Sequence, residues 1–165
     1  MAGSLGMTDG ASWRQFRGEA RAIGFLGPVR LSFAGRYGDT GGRPTRFDLF
    51  SLGGASSAIL PPGLDRNRIE SPALPEASQL GRRFDGWRAE ASVSLLVLYA
   101  ERGRAFDPGA KPQPVRVWGG EARLTRLIPP ELAEGLDLYV GLAKIRSTTP
   151  SFDSLRGYGG LIYRP

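Results

Sequence analysis

The sequence predicts an all-β protein, an antiparallel up-and-down β-barrel of about eight strands with one long loop at residues 53–82. Apolar and polar residues alternate with a period of two along most of the chain, which places each set on one face of a strand. Turn formers separate the alternating segments, and the chain contains 24 glycines and 13 prolines. No segment of the sequence shows the apolar period of an amphipathic helix.

The first predicted hairpin follows residues 1–12, which we expect to be a flexible segment preceding a single barrel domain over residues 13–165. The alternation starts at Trp13, and from Phe16 to Leu26 the even positions are apolar or small, while several odd positions are charged. Gly27-Pro28 then interrupts the pattern as a tight turn would. The alternation restarts at Val29 and predicts the second strand of the hairpin.

The middle of the chain contains the predicted long loop. Arg46–Leu52 is expected to form a short strand, after which the alternation is lost until Arg82. A loop of this length on a rigid barrel is typical of a ligand site or of a cap over the barrel mouth. Asp85–Arg104 then alternates for longer than a normal strand, which predicts either a tight turn near residues 92–95 or one long tilted strand.

Three further strands are predicted towards the end of the chain. Arg116–Thr125 alternates, residues 136–142 have an apolar face, and the last stretch reads LRGYGGLIYRP. The glycines of that stretch would let the strand bend and let bulky neighbours lie across it. We expect this strand to pair with Trp13–Phe25, because such a pairing would close the barrel and leave no open edge.

The composition excludes several classes of function. The chain has no histidine and no cysteine, which excludes disulfides, thiolate zinc sites and His- or Cys-based catalysis. The net charge of +6 arises from 22 basic and 16 acidic residues, but the basic residues are dispersed instead of forming a tail. We therefore expect a non-enzymatic protein without a cofactor or metal and without a nucleic-acid partner.

The alternation itself leaves open whether the apolar faces meet a soluble core or membrane lipid. Strands of about ten residues match tilted membrane strands, and polar faces with charges of both signs suit a narrow lumen. The sequence thus predicts a lumen charge ladder formed by Arg17, Glu19, Arg21, Arg88, Glu90, Glu121 and Arg123. Aromatic residues near strand ends predict a girdle at the membrane interface, formed by Trp13, Tyr37, Trp87, Tyr99, Trp118, Tyr139 and Tyr163.

Four short segments also carry a resemblance to a known family. They read RFDLFSLGG, RIESPALP, FDGWRAEASV and LRGYGGLIYRP, and they are similar to the C-terminal β-barrel region of bacterial outer-membrane surface-antigen-type proteins. The F-x-LGG and Arg-Gly-aromatic elements recur in that superfamily, where they lie close together. Here Leu52–Gly54 and Arg156–Tyr158 lie far apart in the chain. The resemblance therefore implies the barrel architecture and not an assembly activity.

These patterns together predict an outer-membrane β-barrel that acts as a membrane anchor or scaffold, or as part of a larger transport or secretion barrel. The expected partners are membrane lipid and other domains of a larger outer-membrane protein. The opening residues MAGSLGMTDG lack the basic and apolar regions of a signal peptide, so for an exported protein we expect either a piece of something longer or a trimmed start. The alternative is a soluble β-barrel that binds an apolar ligand or an acidic partner.

Overall fold

The computed structural model describes residues 2–8, 11–54, 67–75, 78–111, 113–127, 129, 136–147 and 154–163. The strands are β1 (Ala2–Thr8), β2 (Ala11–Leu26), β3 (Val29–Gly42), β4 (Phe50–Leu52), β5 (Arg68–Ile69), β6 (Gln79–Gly81), β7 (Arg83–Val93), β8 (Leu96–Phe106), β9 (Val115–Arg123), β10 (Leu136–Ser147) and β11 (Ser154–Tyr163). Two 3₁₀ turns occupy Arg46–Asp48 and Leu124–Leu127. Within the described part of the chain, no helix is long and apolar enough to cross a membrane.

Eight of the strands form one antiparallel sheet with the order β1-β2-β3-β7-β8-β9-β10-β11. The predicted all-β class and up-and-down order are therefore confirmed. A tight turn at Gly27-Pro28 joins β2 to β3, and another at Ser94-Leu95 joins β7 to β8. Gly27 and Ser94 adopt left-handed backbone conformations with φ of 57° and 50°, as residues in two-residue hairpin turns do. Of the two alternatives for Asp85–Arg104, the tight turn is the correct one.

The predicted closure of the barrel is wrong. In the described residues β11 pairs with β10, while β2 pairs with β3 and with β1. The expected ladder between β11 and Trp13–Phe25 does not form, and the sheet is open. The physical reason lies on one face of the sheet, where β4, β5 and β6 form a separate three-stranded sheet. An eight-stranded barrel has room inside only for its own side chains, so it could not enclose this second sheet.

Two segments differ from their sequence predictions. Residues 2–8, expected to be flexible, form β1 and pair with residues 11–17 of β2, where they occupy part of an edge that would otherwise be open. The strand predicted at Arg46–Leu52 begins instead with the 3₁₀ turn and has strand structure only at Phe50–Leu52. The Asp48 carboxylate stabilises that turn by accepting hydrogen bonds from the Thr45 amide and hydroxyl at 2.9 and 2.7 Å.

The face of the large sheet that carries the three-stranded sheet is called the inner face here, and the opposite face is the outer face. Phe50 and Leu52 of β4 pack against the inner face beside Phe84, Val117 and Ile145. The predicted long loop at residues 53–82 thus contributes β5 and β6 to a cap over one end of the inner face. Residues 55–66 and 76–77 of that loop lie outside the described residues.

The close contact between the cap and the sheet makes a glycine on β3 sensitive to substitution. A Cβ atom on Gly38 would lie 2.3 Å from Cζ of Phe50, whereas a Cβ on Gly24 would have no atom within 4 Å. We expect Gly38→Ala to lower the free energy of unfolding by about 1–3 kcal/mol through overpacking. Gly24→Ala, the matched control, should leave it nearly unchanged. Urea unfolding followed by tryptophan fluorescence would measure both, and equal midpoints would contradict the close packing.

Candidate functional site: an inner charge cluster and an exposed apolar face

A cluster of ionised side chains lies on the inner face, beyond the cap. Arg88 on β7 pairs with Glu90 through Nε at 2.7 Å and with Glu101 on β8 through Nη1 at 3.1 Å. Arg123 on β9 pairs with Glu121 at 2.9 Å and approaches Glu90 at 3.9 Å. Three neighbouring strands are therefore linked through two arginines and three glutamates. These five residues are called the inner charge cluster below.

Hydroxyl groups donate further hydrogen bonds to the three glutamates. The Tyr158 hydroxyl donates to Glu121 at 3.3 Å, and the Ser32 hydroxyl donates to Glu90 at 3.3 Å. Ser71, from the capping segment, donates a short hydrogen bond to Glu101. Each glutamate in the cluster thus has an arginine and a hydroxyl partner, which is what buried carboxylates require. The Ser71 contact also ties the cap to the sheet.

Four residues of the predicted charge ladder lie together in the structure, and a lumen around them stays a prediction. The structure brings together Arg88, Glu90, Glu121 and Arg123 as members of one cluster. The three residues predicted from β2 lie apart from it. Arg21 pairs at 3.5 Å with Glu19, which also pairs at 3.4 Å with Arg36 of β3, and Arg17 lies on the same strand, half-buried.

Sequence reasoning missed Glu101, the fifth member of the cluster. Only the single-strand alternative for Asp85–Arg104 would keep Val97 and Tyr99 on the same face as Trp87. The turn at Ser94-Leu95 instead reverses the chain, so that the odd positions of β8 face inward and Leu96 and Leu98 face outward. The positive φ of Ser94 has no sequence signal of the Asn-Gly type. The available signal was Glu101 itself, which follows Tyr99 by two residues and therefore lies on the same face of the strand.

The predicted aromatic girdle is wrong for three of its members. Trp13, Tyr99 and Tyr139 are buried on the inner face. The rings of Tyr99 and Tyr139 contact the ring of Tyr158 at centroid distances of 6.5 and 6.2 Å. The Arg88 guanidinium lies 4.3 Å from the Tyr99 ring centroid, an attractive cation–π geometry. Tyr99 and Tyr139 therefore lie beside the charge cluster, and none of the three residues belongs to a peripheral ring.

The other described members of the girdle lie on the outer face. Tyr37, Trp87 and Trp118 are exposed there, and the Trp87 ring stacks on Phe33 at 6.2 Å. The side chain of Tyr163 lies outside the described residues. Contact of these three rings with a membrane interface stays a prediction.

The outer face exposes large apolar side chains across its whole width, and its charged residues, among them Asp39, Asp85, Arg104 and Arg116, lie towards the end away from the turns at residues 27–28 and 94–95. Large exposed apolar side chains occur on this face on every strand from β2 to β11 of the large sheet, namely Phe16, Leu31, Phe33, Tyr37, Trp87, Val93, Leu96, Leu98, Trp118, Val140, Leu142, Leu155 and Leu161. Alanines and glycines fill the positions between them. Soluble monomers rarely expose a contiguous apolar surface of this extent. Over strands β7 to β9 the sheet thus buries charges on one face and exposes apolar side chains on the other.

The described residues offer no site for a metal ion, since no group of three or more Asp and Glu side chains is arranged to hold one. Comparison of the chain with protein-family models, with curated proteins and with solved structures finds no match. The fold is an open antiparallel meander, and its polarity is inverted relative to a soluble sheet, because ionised side chains are buried on the inner face and apolar side chains are exposed on the outer face. Its function is therefore argued from these two faces.

Proposed function

We propose that this chain forms part of the wall of a membrane-embedded β-structure in the bacterial outer membrane, where its outer face contacts lipid. It serves as a non-enzymatic anchor or scaffold, or as part of a larger transport or secretion barrel. One observation carries the proposal, which is the inverted polarity of the sheet. Leu98 on the outer face is 67% exposed, whereas Glu121 on the inner face is 8% exposed.

The energetic consequence of this inversion depends on the solvent. Removing a leucine side chain from water is worth about 1.5–3 kcal/mol, and in water the exposed outer-face residues would forgo that stabilisation. In hydrocarbon each of these side chains is out of water, so the protein gains that stabilisation, as on the outer surface of transmembrane barrels. The inner charge cluster already has its partners within the protein, so it does not depend on contact with bulk water.

Strand length is consistent with a lipid setting. Strands β7, β8, β10 and β11 contain 11, 11, 12 and 10 residues, close to the roughly 9–11 residues that a tilted strand needs to cross a bilayer. Strands of soluble sheets are usually shorter.

The proposal places one requirement on the open edges of the sheet. Backbone N–H and C=O groups at a sheet edge cannot remain unpaired in hydrocarbon, and within the described residues β11 has a partner on one side only. Further strands, from a longer chain or from another copy, must therefore complete the wall. The cap on the inner face supports the same conclusion, because a barrel that encloses it must have more than eight strands.

Tryptophan quenching by brominated lipid tests the proposal. The chain has three tryptophans, of which Trp87 and Trp118 lie on the outer face and Trp13 is buried on the inner face. In phosphatidylcholine vesicles with bromine near the headgroup end of the acyl chains, we expect strong quenching that persists in Trp13→Phe. The double variant Trp87→Phe/Trp118→Phe should lose it, because its remaining indole does not contact lipid. Folded protein without quenching by either lipid-facing indole would exclude the proposal.

A second candidate function is a soluble protein that binds an apolar ligand or an acidic partner. The observation that favours it is the core beneath the cap, where Phe50, Leu52, Ile69 and Val117 are buried as in a soluble domain. This candidate requires the protein to be monomeric in buffer without detergent. It also requires Trp87 and Trp118 to stay accessible to aqueous iodide after vesicles are added, the reverse of the outcome expected for lipid contact.

A further inference from the structure

We propose that a row of arginines at one end of the outer face binds the phosphate groups of anionic membrane lipids. The inference rests on the proposed function and adds a headgroup site to it. The strand register places Arg102 of β8 opposite Arg116 of β9, and Arg116 opposite Arg146 of β10. These three residues are called the basic row below, and Lys144 lies beside them on the same face of β10.

Side-by-side arginines on one face repel each other. Residues directly opposite on neighbouring strands have Cβ atoms about 4.5–5.5 Å apart, and like charges at such positions are destabilising. The arrangement is therefore stable only where the charges are strongly solvated or where an anion lies between them. A phosphate group can accept paired hydrogen bonds from more than one guanidinium, which makes it a suitable anion for this geometry.

Among the described residues, the protein's own carboxylates do not serve as that anion. The acidic residues on the outer face of the described strands are Asp39 and Asp85, which pair with Arg83 at 3.0 Å and with Arg104 at 2.5 Å. The glutamates of the inner charge cluster lie on the opposite face. Nε of Arg102 is buried and has no hydrogen-bond partner among the described residues. Arg102 thus has a donor without a protein partner among the described residues, whereas Arg83 and Arg104 each use Nε on a carboxylate.

The position of the row indicates a lipid phosphate and not a free one. Trp87 lies directly opposite Arg102, and Trp118 lies opposite Lys144. From there towards the turns at residues 27–28 and 94–95, the outer-face positions of the described strands carry no charged residue. The row therefore borders the surface proposed to hold acyl chains, at the level where tryptophans and cations meet headgroups.

The test compares binding to two kinds of vesicle, one of phosphatidylcholine alone and one in which part of it is replaced by phosphatidylglycerol. We expect tighter binding to the anionic vesicles, and the preference should weaken as salt concentration rises. Each arginine near an anionic surface contributes about fivefold to binding. The triple variant Arg102→Gln/Arg116→Gln/Arg146→Gln should therefore lose on the order of 100-fold of the preference.

A control variant separates the row from overall charge. Arg30→Gln/Arg43→Gln/Lys111→Gln removes the same net charge at exposed positions outside the row, and it should keep most of the preference. Equal loss in both triple variants would overturn the inference, as would an equal affinity of the native protein for both vesicles. Displacement by inorganic phosphate but not by chloride at matched ionic strength would indicate a free-phosphate site and would also overturn it.

The failure of this inference can be distinguished from the failure of the proposed function. Brominated phosphatidylcholine without anionic lipid reports acyl contact through Trp87 and Trp118, independently of headgroup charge. Quenching there without a preference for phosphatidylglycerol would leave the lipid-facing wall standing and remove the headgroup site. Absence of quenching in both compositions would remove both.

Discussion

Replacing Phe50 by alanine is expected to lower the free energy of unfolding by about 3–5 kcal/mol and to release the cap from the inner face. Phe50 is 0% exposed, and its ring contacts Phe84 on β7 at a centroid distance of 6.4 Å. It also fills the space left by Gly38, where a Cβ atom would overlap its ring. No neighbouring side chain can fill the resulting cavity without displacing the sheet backbone, because the surrounding strands are fixed by their ladders.

Urea unfolding would measure the loss of stability, and limited proteolysis would report release of the cap, with new cleavage expected between residues 43 and 82. Phe25→Ala is the matched control, since Phe25 is 75% exposed near the tip of the β2–β3 hairpin and its truncation leaves no buried cavity. Equal stability of the two variants, or an unchanged cleavage pattern in Phe50→Ala, would show that the cap is not held by this ring.

Replacing Arg88 by methionine is expected to have an effect of similar size. Arg88 pairs with both Glu90 and Glu101, and removing it leaves two partly buried carboxylates with less compensation. Breaking a buried ion pair from one side typically costs about 3–5 kcal/mol. Methionine keeps much of the side-chain volume, so the effect would reflect charge more than packing. The measurement is the unfolding midpoint in denaturant, followed by tyrosine and tryptophan fluorescence.

A second substitution separates charge from packing at this site. Arg88→Met/Glu101→Gln removes one of the two carboxylate charges that Arg88→Met leaves without an arginine partner, and we expect it to recover a substantial part of the lost stability. Arg21→Met is the exposed control. Its partner Glu19 is also shared with Arg36, and loss of an exposed pair typically changes stability by less than about 1 kcal/mol. A double variant no more stable than Arg88→Met would show that the cluster acts through shape and not through charge.

The two predictions show where sequence reasoning succeeded and where it did not. The alternation along β2, β3, β7 and β9 correctly divided the side chains of each strand between two faces, because neighbouring side chains of any strand point in opposite directions. Phe50 was expected to lie in a short strand, but its burial depends on contact with β3 and β7, which lie elsewhere in the chain. No local pattern encodes that contact.

The inner charge cluster was predicted in part for the same reason. Arg88 and Glu90 alternate within one strand, so they could be identified from spacing alone. Glu101 entered the cluster through the turn at Ser94-Leu95, which set the phase of β8. A change of one residue in that turn would move Glu101 to the outer face, since a shift of one residue exchanges the two faces of a strand.

The sequence by itself determined the all-β class, the antiparallel order and the two-faced character of most strands, since these follow from a period of two and from turn residues between short segments. Only the tertiary structure decided the open edge at β11, the cap at one end of the inner face, the inward position of Tyr99 and Tyr139, and the alignment of Arg102, Arg116 and Arg146. All four depend on register between strands. Register is fixed by turn geometry, which residues 94–95 do not signal in the sequence, and by packing across the sheet, which residues distant in the chain supply.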